Sequence, residues 1–116
     1  MDLFPECRRA LLYSGVTDLR KSINGLSLLV QETLEEDPTN GTAYIFCNRG
    51  RDKAKILVWD LNGFVLLYKR LEKGRFKIPG EQEKMILENR HLRWLLDGLD
   101  LLRLPKRPHF SFKTYG

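Results

Sequence analysis

Apolar positions recur along this chain with two periods, and the switches between them mark out its elements. Residues 8–13 (RRALLY) predict a short first strand, and Ser14-Gly15 breaks it. Thr17 is placed as the N-cap of a helix, with Asp18 in the first turn, where a carboxylate suits the helix dipole. From there Leu19, Ile23, Leu26, Val30 and Leu34 fall on one helical face, and Arg20, Asn24, Ser27 and Gln31 on the other. Pro38 stops the helix, and Asp37 to Gly41 (DPTNG) reads as a loop.

Three apolar stretches follow: Ala43–Cys47 (AYIFC), Ala54–Trp59 (AKILVW) and Phe64–Leu71 (FVLLYKRL). Asn48 to Lys53 joins the first two and Asp60 to Gly63 the last two; Asn62-Gly63 is a hairpin signal, and connections this short require antiparallel pairing. Lys73-Gly74 predicts another turn, Arg75–Ile78 a short strand ending at Pro79, and Lys84–Glu88 a further one. A second helix is predicted over Asn89–Asp97, with Leu92, Leu95 and Leu96 on its apolar face and Gly98 just past its end. The expected architecture is α+β: an antiparallel meander of four to five strands, one amphipathic helix packed on a face, and a second short helix near the C-terminus. Residues 1–104 are expected to form one domain, and residues 105–116 a basic, proline-containing tail.

Composition narrows the class. An apolar fraction of 42% and a charged fraction of 30% suit one soluble domain of 116 residues. No apolar run approaches the roughly 18 residues of a membrane span, and the N-terminus lacks the pattern of a secretion signal. A cytoplasmic location is the expectation, with Cys7 and Cys47 as buried free thiols rather than a disulfide.

The net charge of +5 is unevenly spread. Residues 1–48 carry four Lys/Arg against seven Asp/Glu, whereas residues 49–77 carry nine against three. Such segregation points to an anionic partner, because a merely solvated face mixes its signs. The Asn48–Lys53 turn presents Arg49, Arg51 and Lys53 around Gly50, and Lys69, Arg70, Lys73, Arg75 and Lys77 crowd nine residues. These cations suit phosphate oxygens, not a particular base sequence. Lys55 and Trp59 share one face of their strand, where a cation and an aromatic could meet phosphate and base; the alternative puts Trp59 in the core and Lys55 at its edge. Arg20 and Lys21 sit against the dipole at the start of the expected first helix, and Glu32, Glu35, Glu36 and Asp37 against it at the other end. Catalysis has little support. His91 and His109 lack metal-ligand spacing, no phosphate-binding loop or nucleophile elbow occurs, and Asp18, Asp60, Asp97 and Asp100 each have a local turn or cap explanation. Neither a metal nor a cofactor is expected.

Several strings occur in an order that resembles a known family. They are Thr17 to Leu26 (TDLRKSINGL), Tyr44 to Phe46 (YIF) before Asn48 to Lys53 (NRGRDK), Lys55 to Asp60 (KILVWD) with Asn62-Gly63, and Tyr68 to Phe76 (YKRLEKGRF). Over residues 10–104 the chain is similar to the small accessory protein, often labelled TnpB, encoded by the second open reading frame of the "sixty-six" class of bacterial insertion sequences. The resemblance implies a non-catalytic factor of transposition beside a separate transposase. It marks Asp18, Arg20, Lys21 and Gly25; then Arg49, Gly50, Lys55, Trp59, Asp60 and Gly63; then Lys69, Arg70, Leu71, Gly74 and Phe76 as characteristic. Two functions are open at this stage. One is a DNA-binding accessory factor using Arg49, Arg51, Lys53, Lys69, Arg70, Lys73 and Arg75, with Lys55, Trp59, Arg20 and Lys21 nearby. The other is a protein–protein adaptor that holds the transposase or another accessory protein with little DNA contact.

Overall fold

In the computed structural model, residues 9–80 and 82–98 are described. The expected tail, together with Arg8, Cys7, Asp100 and His109, lies outside them. The elements run β1 (Ala10–Val16), α1 (Ile23–Glu32), β2 (Ala43–Cys47), β3 (Lys53–Asp60), β4 (Gly63–Arg70), β5 (Lys84–Leu87) and α2 (Asn89–Leu96). The strands form one sheet in the order β4-β3-β2-β1-β5.

The α+β class holds, but the antiparallel meander does not. β1 pairs with β2 in parallel, Ala10 beside Ala43 and Tyr13 beside Phe46, while β2–β3, β3–β4 and β1–β5 are antiparallel. The reason is the connection. A helix between two strands returns the chain to the starting end of the sheet, so the next strand runs parallel; only hairpin joins force reversal. β2 thereby becomes the central strand, and all five of its residues are buried.

Side-chain alternation gives the sheet two apolar faces, each with its own helix. Leu11, Tyr44, Phe46 and Leu57 pack with Leu26, Val30 and Leu34 from α1 and the segment after it. On the other face Ala10, Leu12, Ala43, Ile45, Ala54, Ile56, Met85 and Leu87 meet Leu92, Leu95 and Leu96 of α2. The second helix thus covers a face that the sequence pattern left partly open to water. Lys84 Nζ donates to the Leu34 carbonyl beyond α1 (3.1 Å), and Lys69 Nζ donates to the Leu96 carbonyl at the end of α2 (2.7 Å). Cations at these carbonyl ends suit the helix dipoles.

Three local expectations change. α1 starts at Ile23 with Ser22 as its N-cap, not at Thr17, because residues 17–21 belong to the strand end and a turn. The Thr17 N–H donates to the Cys47 carbonyl, extending the parallel pairing, and Asp18 accepts from the Arg20 N–H and guanidinium. In the β3–β4 hairpin, Leu61 and Asn62 are the turn residues and Asp60 pairs with Gly63, which places Trp59 opposite Phe64. Leu61 holds the left-handed conformation there, with φ of 57°. Arg75–Ile78 is not a strand; it is an irregular segment held by Phe76, which is 3% exposed in the α2-side core. No helix among the described residues is long and apolar enough to cross a membrane.

Candidate nucleic-acid interface

The Asn48–Lys53 turn is organised by one side chain. Asn48 Oδ1 accepts from the backbone N–H groups of Asp52 and Lys53, and its amide donates to Asp52 Oδ1 at 2.8 Å. That bond is the main cause holding the Asp52 carboxyl below the usual carboxylate range, with Lys53 adding to it. The turn is therefore a fastened platform, and Arg49 is exposed at its tip.

Beside it lies the second cationic stretch. β3 and β4 run side by side for eight residues each, so the start of β3 and the end of β4 meet at one end of the sheet. The Leu71 N–H donates to the Asp52 carbonyl (2.8 Å), and the Phe76 N–H to the Arg51 carbonyl (2.6 Å). Gly74, with φ of 77°, supplies the left-handed step that lets the loop fold back, and burial of Phe76 anchors its end. Lys73, Arg75 and Lys77 remain exposed on this loop. Lys53 lies directly across from Arg70. Like charges directly opposite on a sheet repel. Asp52 lies 3.4 Å from Lys53 Nζ and Glu72 2.9 Å from Arg70 Nε, but both are surface pairs of small energetic value.

The turn after β1 joins the same end, because β1 and β2 are parallel and finish together. Arg20 there is gripped by Asp18, whose carboxyl its hydrogen bonds hold well below the ordinary range. Lys55 Nζ donates to the Lys21 carbonyl (2.9 Å) and lies 6.0 Å from the centre of the Tyr68 ring. Lys53, Lys55 and Arg70 therefore share one face with a single aromatic residue, Tyr68, on the α1 side of the hairpin.

Three of the sequence-predicted residues sit elsewhere or face inward. Arg51, in a left-handed conformation (φ 61°), turns its guanidinium under the turn, where Nη2 donates to the Ser14 carbonyl at 2.9 Å. Lys69 projects from the α2 side of β4 to cap that helix. Trp59 is partly buried at the opposite end of β3 with its ring edge-on to Phe64, centroids 5.0 Å apart. It is six residue steps along the strand from Lys53, roughly 20 Å. Tyr68 was missed from the sequence. Its signal was available in the alternation that puts it on the face of Arg70 and opposite Lys55, but a tyrosine in an apolar strand reads equally well as core.

The inward Arg51 also lies against Cys47, which is buried. Burial pushes the Cys47 thiol up to about 12, and the guanidinium opposes that shift only in part. A thiol held neutral and enclosed is a poor nucleophile. In a Cys7→Ser background, Cys47 should stay unreactive toward an aromatic disulfide reagent at pH 8 and become reactive only as denaturant unfolds the chain. Fast labelling of the folded protein would contradict this placement.

The family model described as "IS66 Orf2 like protein" matches residues 8–106. The chain belongs to this family. Membership associates it with an insertion-sequence accessory role. Two uncharacterized proteins of Sinorhizobium fredii (strain NBRC 101917 / NGR234) are similar to it. The first, y4hO, is 34% identical over 93 residues, covering 79% of this chain and 81% of its own length. The second, y4jC, is 30% identical over 101 residues, covering 86% of each. No solved structure matches. Among the described residues, no group of three or more His, Cys, Asp or Glu side chains is placed to hold a metal ion.

Proposed function

We propose that this family member binds DNA phosphates through the cationic end of its sheet, acting as a non-catalytic accessory factor in a complex with the separate transposase. The observation that carries the reading is convergence. Two basic stretches some twenty residues apart in the sequence are tied together by the Leu71–Asp52 and Phe76–Arg51 backbone bonds, with Lys53 facing Arg70 across the strands. A surface that keeps like charges together against their repulsion is complementary to a polyanion. Arg49, Lys53, Arg70, Lys73 and Arg75 make the phosphate contacts; Arg20, Lys21 and Lys55 border them; Arg51 and Lys69 support the loop and α2 from behind.

The test is a salt titration of binding to duplex insertion-sequence ends, with and without the transposase. Counterion release predicts that log affinity falls with log salt with a slope of about −0.9 per phosphate contact, so four or five contacts give roughly −4. A flat salt dependence, or no binding of these ends as duplex or as single strands in either setting, rules the reading out. Nuclease-resistant co-purification with the transposase in that case would favour the adaptor function.

A further inference from the structure

The cationic end holds an aromatic residue that phosphate binding does not explain. Tyr68 is 54% exposed, the largest exposure among the exposed aromatic side chains of the described residues. It stands on β4, the edge strand of the sheet among the described residues. Its cross-strand neighbour is Lys55, and the next pair along the same face is Lys53 with Arg70. The Lys55 ammonium, tied to the Lys21 carbonyl, sits 6.0 Å from the ring centre. The next pair in the other direction, Leu57 and Leu66, packs in the α1-side core, so the helix cover ends just short of the tyrosine.

From this we infer that the hairpin face is a stacking platform for unpaired nucleotides, and that the preferred ligand of the cationic end is single-stranded DNA. A duplex hides the faces of its bases, so a cation set for duplex phosphates gains nothing from an exposed ring. A single strand offers both groups: phosphates to Lys53, Lys55 and Arg70, and a base face to Tyr68. A cation across from the ring and two more one pair along the same face, at strand spacing, match the alternation of base and phosphate along such a chain. The charge of the face fits this occupant as well, since Glu72 is an exposed partner of Arg70 that a phosphate can replace. This inference rests on the phosphate-binding reading above and adds the class of strand.

The experiment compares binding of a twelve-nucleotide thymidine strand, its duplex with the complement, and the equivalent RNA strand, each across a salt series. The wild-type protein should bind the DNA strand more tightly than the duplex. Tyr68→Ala should weaken single-strand binding by about 5- to 150-fold, the usual range for one lost stack, with the salt slope and the duplex affinity unchanged. Tyr68→Phe should retain single-strand affinity, and Tyr68→Leu should not, because an aliphatic side chain has no π-face. The inference is overturned if Tyr68→Ala leaves single-strand binding intact, lowers both forms equally, or is rescued as well by leucine as by phenylalanine; tighter binding of the RNA overturns the choice of DNA. Salt-sensitive duplex binding with an inert Tyr68 would leave the phosphate reading standing. Absence of salt-sensitive binding to either form would remove both.

Discussion

Replacing Arg49, Arg70, Lys73 and Arg75 together by glutamine should abolish most DNA binding while leaving the fold intact. Each side chain is exposed, and the ion pair that Arg70 makes with Glu72 is a surface pair. Surface changes of this kind alter stability by about 0.5 kcal/mol or less each, so the melting temperature should move by at most about 8 °C. Binding is another matter. If all four touch phosphate, the salt slope should become shallower by about 3.6, and affinity near 0.1 M salt should fall by roughly three orders of magnitude. A purely structural cationic end predicts the opposite pairing of results: stability changes and affinity does not. Single replacements should each shift the slope by about 0.9, and Arg49→Gln is the cleanest of them because Arg49 stands at the tip of the turn.

Phe76→Ala should give the largest loss of stability among changes at this end. The ring is 3% exposed and packs in the core on the α2 side, although it belongs to an irregular loop. Truncating a buried phenylalanine costs about 3–5 kcal/mol, through lost transfer energy and the cavity left behind. Whole domains are stable by only about 5–15 kcal/mol, so the variant should melt about 12–20 °C lower, read by circular dichroism or calorimetry. The functional consequence should appear even where the variant is folded. The Phe76 N–H to Arg51 carbonyl bond and the buried ring are what hold Lys73, Arg75 and Lys77 beside the Asn48–Lys53 turn. Without the anchor, ordering the loop is left to the binding step, and affinity should drop with no change in net charge. A melting point within about 4 °C of wild type would show that the loop is held by something other than Phe76.

These two variants separate charge from the scaffold that gathers it. The quadruple change removes cations from an intact platform, and Phe76→Ala loosens the platform with every cation present. Loss of affinity in the first alone would assign the work to the exposed side chains on a turn already fixed by Asn48. Loss in both would mean that the spatial convergence of the two basic stretches is itself required.

Much of this molecule was readable in the chain because the determining interactions are local. Apolar stretches between turn signals located β2, β3 and β4, short connections dictated their antiparallel pairing, and the 3.6-residue period found both helices, although α1 is capped at Ser22 rather than Thr17. The segregation of charge into residues 49–77 was equally plain, since it needs only counting. What tertiary structure alone decided was partnership between residues distant in sequence. Whether β1 pairs parallel or antiparallel depends on where α1 returns the chain, and whether α2 has a face to cover depends on that sheet. The same holds at the candidate site. A lysine or arginine can donate to a phosphate or to a carbonyl with equal chemical ease, so the sequence could not show that Arg51 turns to Ser14 or Lys69 to Leu96, while Arg49 and Arg75 stay exposed. Nor could it distinguish Trp59, packed against Phe64 far from the cations, from Tyr68, which stands open among them. Composition settled that this protein carries a concentrated positive charge. Only the folding of β3 against β4 decided which of those charges share a surface, because that depends on strand register, and register is set by contacts across the whole sheet.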